Sequence, residues 1–152
     1  MSKDTDGYVV NMVMFAPVPQ TVAWDVLTDF DHMEGWVPNV KESKIVATNA
    51  NVLTIEQQGV AKFGLAQFPY TSLREMTLEP QKSVRAKQLK GSMRRLESMM
   101  TLSSEGNGTQ LNYHLEIVPQ GLAAAALSKD FLAHEMTEQF TAIIQEMVRR
   151  NR

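Results

Sequence analysis

Hydrophobic and polar residues alternate in seven segments of the chain, and a period of two residues is typical of β-strands that bury one face. Turn-forming glycine, asparagine and proline residues separate neighbouring segments after residue 48. Because short connections join antiparallel strands, the pattern predicts a meander of hairpins. The predicted strands cover residues 8–15, 41–48, 52–63, 70–79, 83–90, 95–103 and 109–118.

Two other segments repeat their hydrophobic residues at the period of an α-helix. The first covers residues 19–28 and is short, whereas the second covers residues 123–150. Ser128 is suited to cap the long helix, and we expect Glu135 and most other polar residues to lie away from its hydrophobic side. That side is predicted to consist of Leu132, Met136, Phe140, Ile143, Ile144 and Met147.

The strands predict one antiparallel sheet, and the long helix is the only large amphipathic element left to cover it. We therefore expect an α+β fold in which the sheet curls around that helix. Most residues on the expected inner face are aliphatic, but five are polar: Gln57, Arg74, Gln88, Ser98 and Tyr113. A buried polar group without a partner costs on the order of 1 to 3 kcal/mol. These five residues therefore predict either a hydrogen-bonded core network or a hydrated or ligand-filled cavity.

The composition is that of an ordinary soluble domain, with 43% hydrophobic and 21% charged residues. This length suits one domain, so residues 1–152 are interpreted as a single unit. The formal net charge of -2 argues against a general nucleic-acid binder, and no specific DNA partner is expected. The absence of cysteine and the scattered positions of the 3 histidines predict no metal site. Without a signal peptide or a segment of membrane-spanning length, a cytoplasmic protein is the simplest interpretation.

Several short motifs follow one another in a fixed order along nearly the whole chain. They are Pro19, Trp24, Asp29-Phe30 and Trp36-x-Pro38 near the start, then Gly59, Gly91 and the hairpin Gly108-Thr109-x-Leu111-x-Tyr113. In this order and spacing the sequence resembles the START/SRPBCC superfamily. The resemblance implies the helix-grip fold, in which a strand, two short helices, six further strands and a long helix follow one another.

Within that superfamily the sequence is most similar to the branch of polyketide cyclases/dehydrases and coenzyme-Q-binding proteins, which also includes a bacterial ribosome-association toxin. The resemblance implies an apolar ligand held between the long helix and the sheet. We therefore expect the protein to carry or sequester a hydrophobic small molecule, such as a quinone, lipid or polyketide, without a cofactor. A polyketide cyclase or aromatase that uses the same cavity is the alternative. A ribosome-associating, toxin-like regulator is the third interpretation.

The expected ligand-binding residues lie on the inner face of the sheet, on the long helix and in the adjoining loops. If the protein is an enzyme, Arg74 and Tyr113 are the candidates for proton transfer. No histidine or carboxylate is expected to reach the cavity as a general base, so the expectation leans towards binding without catalysis. The expected set is Trp36, Ile55, Gln57, Phe63, Phe68, Arg74, Met76, Gln88, Ser98, Met100, Tyr113, Met136 and Phe140.

The segment over residues 28–40 combines acidic, aromatic and turn-forming residues. Its glycine and proline predict a chain reversal, with Phe30 and Trp36 at the end of the sheet, where they would shape the mouth of the cavity. We expect Asp29 to accept backbone N–H bonds after the first helix. His32 is expected to be solvated in a polar turn rather than catalytic.

Two further segments leave more than one interpretation open. Residues 63–70 are unusually apolar for a hairpin tip, so they either form a lid or membrane-touching edge or extend the flanking strands. Residues 82–95 contain six basic residues and no acidic one. This basic segment either contacts an anionic lipid surface or ribosomal RNA transiently, or is a solvated face of the sheet.

Overall fold

An antiparallel sheet of eight strands makes up most of the protein. The computed structural model describes residues 2–3, 7–63, 66–121, 124 and 127–152, and for residues 2, 3, 63 and 66 only the backbone is described. The strands are β1 (Ser2–Lys3), β2 (Tyr8–Ala16), β3 (Val40–Asn49), β4 (Val52–Phe63), β5 (Ala66–Glu79), β6 (Ser83–Gly91), β7 (Met93–Glu105) and β8 (Gly108–Pro119).

The strands from β3 to β8 form a meander, and the order across the sheet is β1-β2-β8-β7-β6-β5-β4-β3. Two-residue turns connect β3 to β4 and β7 to β8. Ala50 in the turn between β3 and β4 has a φ of 54°, and Gly106 between β7 and β8 has a φ of 57°. Such left-handed conformations match the twist of hairpin strands. The first long strand, β2, completes the sheet by pairing along its whole length with β8.

Three helical segments accompany the sheet in the described part of the chain. Ser128 caps the longest of them, because its Oγ accepts a hydrogen bond of 3.0 Å from the backbone N–H of Phe131. Asp130 lies in its first turn and two arginines lie in its last turn, which complements the helix dipole. The segments are α1 (Gln20–Leu27), a 3-10 helix (Phe30–Gly35) and α2 (Lys129–Arg150).

The main hydrophobic core lies where α1 and α2 pack against the sheet. Ile55 of β4, Leu111 of β8 and Met147 of α2 are fully buried there. A smaller cluster joins Phe131, in the first turn of α2, to Phe68 of β5. The long helix is therefore anchored to the sheet at both ends, and its middle spans the space between the two clusters.

The predicted α+β helix-grip fold is confirmed, because a curved sheet with seven long strands packs against one long C-terminal helix. One prediction for the strands is wrong. β5 begins at Ala66 instead of residue 70, because its ladder with β4 continues through Phe68↔Ala61. For residues 66–69 the structure therefore favours the interpretation in which the flanking strand extends.

Two smaller differences concern the ends of the chain. The described helix α2 begins at Lys129, because Ser128 caps it there. Residues 122–123 and 125–126 of the predicted helix lie outside the described residues. β1 pairs with only two residues of β2, and so short a strand leaves no periodic pattern in the sequence.

Candidate functional site

Side chains do not fill the space between α2 and the sheet completely. A first cavity of about 160 Å³ lies under the first turns of α2 and beside the connection between β6 and β7; we call it the outer cavity. Carbon-rich side chains form most of its wall, which suits an apolar ligand. They are Ala61, Phe68, Met93, Leu96, Leu115, Ile117, Leu127, Phe131, Leu132 and Met136.

A second cavity of about 130 Å³, the inner cavity, lies deeper, towards α1 and the 3-10 helix. Its apolar wall residues are nearly all buried, and two methionines from the sheet contribute flexible side chains that adapt to irregular shapes. They are Leu27, Phe30, Met33, Val37, Val40, Met76, Val84, Met100, Phe140 and Ile143.

Four polar residues border both cavities, and we call them the polar partition: Gln57, Arg74, Tyr113 and Gln139. Arg74 Nη2 donates a hydrogen bond of 2.7 Å to Gln57 Oε1. Gln57 Nε2 in turn donates a bond of 3.0 Å to Ser43 Oγ on β3. Hydrogen bonds to residues of the sheet therefore fix Arg74 and Gln57 in the polar partition, which lies between the two apolar cavities.

Arg74 brings a positive charge into this interior. The register of β5 against β6 shifts between Leu73 and Arg74, and such bulges redirect side chains. Burial lowers the pKa of Arg74, while Tyr113 and Tyr70 act in the opposite direction; a guanidinium still stays charged at neutral pH. Arg74 Nε is buried without a hydrogen-bond partner, and no carboxylate among the described residues pairs with this arginine. A cation without an anionic partner therefore faces the cavities.

Two tyrosines lie near this charge. Burial raises the pKa of Tyr113, which a hydrogen bond with Ser98 and the charge of Arg74 partly oppose. The ring of Tyr113 meets Phe140 edge to face at 4.8 Å. Burial also raises the pKa of Tyr70 to about 12. Both phenols are therefore neutral near pH 7 and retain a proton to donate.

Glu135 supplies a carboxylate to the outer cavity, although the sequence pattern predicted it away from the hydrophobic side of the helix. This prediction is wrong, because only 6% of Glu135 is exposed. Its carboxylate accepts hydrogen bonds from Asn39 Nδ2 at 3.2 Å and from Gln139 Nε2 at 2.8 Å. Burial raises the pKa of Glu135, and these hydrogen bonds oppose that effect. The spacing of Phe131, Glu135 and Gln139 by four residues, beside the apolar row, is the signal that would have indicated it.

Asn39 positions this carboxylate from the loop before β3. Its backbone is left-handed, with a φ of 68°. The carbonyl oxygen of Asn39 accepts bonds from Val60 N–H at 2.9 Å and from Tyr70 Oη at 3.4 Å. The close approach requires glycine at residue 59, because a Cβ on Gly59 would lie 1.8 Å from Asn39 O. The sequence analysis did not identify Asn39. Its contacts are with residues 21 to 99 positions away in the chain, and local sequence patterns carry no information about such distant contacts.

Ten of the thirteen expected ligand-binding residues border one or both cavities. Gln57, Phe68, Arg74, Gln88, Tyr113 and Met136 border the outer cavity. Residues that border the inner cavity are Gln57, Arg74, Met76, Ser98, Met100, Tyr113 and Phe140. Contact of these residues with a ligand remains a prediction.

Two of the other three expected residues lie in neither wall. Ile55 is fully buried in the main core, behind the wall. Trp36 is only partly buried, and its ring lies 5.8 Å from the guanidinium carbon of Arg150 near the end of α2. The side chain of Phe63 lies outside the described residues.

The segment over residues 28–40 contributes Phe30 and Met33 to the wall of the inner cavity, and its role at the mouth stays a prediction. Asp29 does not cap the backbone as predicted. Its carboxylate accepts hydrogen bonds of 2.6 Å from Arg150 Nη2 and from the ring of His32. His32 is exposed, as expected, and borders neither cavity.

The outer cavity adjoins the surface where β6 and β7 diverge. The described β6–β7 ladder ends at Lys87↔Glu97. Beyond that pair, Gln88 Nε2 donates a 2.7 Å bond to the carbonyl of Met93 and bridges the two strands. Gln88 Oε1 is buried without a partner, so this amide keeps one free acceptor beside the cavity. The predicted lid over residues 63–70 contributes Phe68 to the wall, while residues 64 and 65 lie outside the described residues.

Acidic side chains from neighbouring strands are interspersed with the basic segment over residues 82–95. Arg95 contacts both Glu116 and Glu97, and Lys82 contacts Glu79 at 3.7 Å. This mixed charge favours the interpretation as a solvated sheet face. Contact with an anionic lipid surface or ribosomal RNA stays a prediction without support from the structure.

Other kinds of site are not found among the described residues. No group of three or more histidines and carboxylates lies close enough to hold a metal ion there. None of the helices in the described ranges is long and apolar enough to cross a membrane.

A model of the family described as polyketide cyclase / dehydrase and lipid transport matches residues 16–146 of the chain. A comparison with curated proteins gives no match.

Solved structures with low sequence identity share the fold. The Zhui aromatase/cyclase from Streptomyces sp. R1128 superposes with a TM-score of 0.80 at 17% identity, over 95% of this chain and 96% of that one. A START superfamily protein from Mycobacterium smegmatis gives a TM-score of 0.72 at 11% identity, over 95% and 97% of the two chains. A STAR-related lipid transfer protein from Xanthomonas axonopodis gives a TM-score of 0.72 at 12% identity, over 91% and 85%.

Proposed function

Because the chain belongs to the polyketide cyclase/dehydrase and lipid transport family, we propose that it binds an apolar small molecule carrying an oxygen acceptor or an anionic group. The ligand lies between α2 and the sheet, in the outer and inner cavities. Membership of this family supports either hydrophobic ligand binding or cyclase-type chemistry. The same proposal treats residues 1–152 as one ligand-binding domain.

Arg74 carries the proposal. Arg74 is half-buried, but its Nε is fully buried. A buried donor on a charged group without a partner is costly, since such a group is normally paired or hydrogen-bonded throughout. Among the described residues, Arg74 has a hydrogen bond to Gln57, and its Nε–H has no partner there. A carbonyl, phenolate or carboxylate oxygen of a ligand would satisfy that donor and offset part of the cost. The apolar walls on both sides of the polar partition would meanwhile bury the carbon skeleton.

An anionic dye with an apolar ring system, anilinonaphthalene sulfonate, tests this assignment by fluorescence titration. Charge-assisted hydrogen bonds contribute about 1.5 to 3 kcal/mol, so Arg74→Met should weaken binding about 10- to 100-fold. Arg85→Met on the exposed side of β6 is the matched control and should bind like the wild type. Equal affinity of Arg74→Met and wild type for the dye would overturn the proposed role of Arg74.

Native mass spectrometry of the protein as purified, with solvent extraction of bound molecules, identifies the ligand class. A quinone, lipid or polyketide recovered unchanged supports carriage. An apolar ligand without any oxygen would contradict the proposal.

Glu135 favours a second candidate function, a cyclase-type reaction of a poly-ketone. Its carboxylate borders the same cavity as Arg74 and Tyr113, and burial raises its pKa towards the range useful for a general base. Glu135 would take a proton from a carbon between two carbonyls, while Arg74 and Tyr113 donate to the enolate oxygen. The enolate carbon would then bond to a second carbonyl carbon, whose oxygen takes the proton back.

Turnover of a synthetic poly-ketone, followed by chromatography, separates the two candidates. Cyclisation above the buffer rate that falls at least about tenfold in Glu135→Gln supports catalysis. In that case the dye should still bind, because the amide keeps the shape of the side chain. Cyclisation at the buffer rate by wild-type protein that binds the compound excludes this second function and leaves the binding function.

A further inference from the structure

The edge of β2 lacks a partner strand over most of its length. β1 pairs only with Tyr8 and Val9. From Val10 to Ala16, no strand in the described ranges lies on the side of β2 that faces away from β8. The free N–H and C=O groups of such an edge are a template for pairing with another strand.

This edge is apolar and without charge. Val13 and Phe15 point to the solvent side of the sheet and are 69% and 50% exposed. Among the large hydrophobic side chains of the described residues, only Leu89, at 52%, has an exposure between these two values. The sequence contains no charged residue between Gly7 and Trp24. The ladder of β2 with β8 also runs without a bulge, so the edge is regular. Natural edge strands usually carry charges or bulges that prevent pairing.

The opposite edge of the same sheet has both kinds of protection. β3 carries Lys41, Glu42 and Lys44. Its ladder with β4 shifts register twice, between Val40 and Glu42 and between Ile45 and Ala47. An isolated molecule needs protection at both edges, so the contrast indicates that the β2 edge is covered in solution.

We propose that β2 pairs with β2 of a second copy of this chain, antiparallel across a twofold axis at Val13. The segment from Asn11 to Phe15, which has no partner strand on this side in the described ranges, is symmetric about that residue. In this register Asn11 faces the partner subunit's Phe15, and Met12 faces the partner subunit's Met14.

A twofold axis fits this strand because it brings a residue against its own copy. Val13 against the partner's Val13 is a favourable apolar pair, whereas a charged residue at the axis would face a like charge. Every side chain in the register is uncharged. Val13 borders neither cavity, so the proposal is independent of the ligand site.

Native mass spectrometry and light scattering on the full chain test the dimer with paired charge variants. Wild type is expected as a dimer. Val13→Lys and Val13→Glu should each weaken self-association by more than about tenfold, because like charges meet at the axis. An equimolar mixture of the two variants should form a one-to-one heterodimer. Val46→Lys, at an exposed position of the β3 edge, is the matched control and should remain dimeric.

Three results would overturn the proposal. They are a monomeric wild type at the highest soluble concentration, dimers of Val13→Lys that match the wild type, and a variant mixture that stays monomeric. Circular dichroism establishes that each variant is folded. If Val13→Lys is unfolded, Val13→Arg replaces it, because it also brings two like charges together at the axis, and a dimer of folded Val13→Arg with undiminished affinity contradicts the proposal equally.

Discussion

Replacing Arg74 and Gln57 together tests whether the polar partition lowers the stability of the ligand-free protein. Arg74 Nε is buried without a partner, and a group in that state costs about 1 to 3 kcal/mol. Replacing Arg74 alone would leave Gln57 Oε1 without the 2.7 Å bond that it now accepts. The informative change is therefore Gln57→Leu together with Arg74→Leu, which removes the cation, the unpaired N–H and the amide at once.

We expect removal of the unpaired N–H to make this double variant more stable than the wild type by about 1 to 3 kcal/mol before any loss is subtracted. Two losses act against the gain. Met33 Sδ no longer accepts the 3.4 Å bond from Gln57 Nε2, but a thioether is a weak acceptor. Ser43 Oγ no longer receives the bond from Gln57, but it keeps its own bond to the carbonyl of Phe30, so the loss is about 1 kcal/mol. In a domain of this length each kcal/mol moves the Tm by about 2 to 4 °C.

Urea unfolding followed by circular dichroism measures the effect. Gln58→Leu with Arg85→Leu makes the same chemical change at exposed positions and should stay within about 0.5 kcal/mol of the wild type. The buried double variant should also lose affinity for anilinonaphthalene sulfonate, which the control should retain. A buried double variant less stable than the wild type by more than about 1 kcal/mol would refute the reasoning, since Arg74 would then be a structural contact.

Three further changes follow from the structure. Burial raises the pKa of Glu135, so the stability of the wild type should fall as pH rises from the ordinary carboxyl range through that raised value. Urea unfolding at a series of pH values should show that Glu135→Gln lacks this fall. Parallel plots of unfolding free energy against pH for the two proteins would contradict it. Partial burial raises the pKa of Asp29, but hydrogen bonds from its basic partners outweigh this and lower it. The stability from Asp29 is thus present above its ordinary pKa and lost as pH falls through the lowered value. In Asp29→Asn the free energy of unfolding should therefore fall less steeply on the acid side, and an equally steep fall would rule out the effect. Gly59→Ala should cost at least about 1 to 3 kcal/mol, because its Cβ would lie 1.8 Å from Asn39 O, whereas Gly35→Ala meets nothing within 4 Å; equal thermal unfolding of the two variants would contradict this.

Strand alternation was enough to predict much of the site, because it separates residues that point inward from those that point outward. Gln57, Arg74 and Tyr113 were identified as polar side chains on an otherwise aliphatic face, and all three border the cavities. Trp36 shows the limit of that reasoning. An aromatic residue in a turn has no periodic neighbours, and the end of α2 instead provides its packing partner, Arg150.

The sequence alone determined the number, order and type of the main elements, since period, turn residues and helix capping act between residues that are close in the chain. Tertiary structure decided that Glu135 faces the cavity, that Asn39 holds it, and that Arg74 separates two spaces. These features depend on how far α2 rotates and how closely it approaches the sheet. Contacts between residues about a hundred positions apart set that rotation, and no pattern within one segment records them.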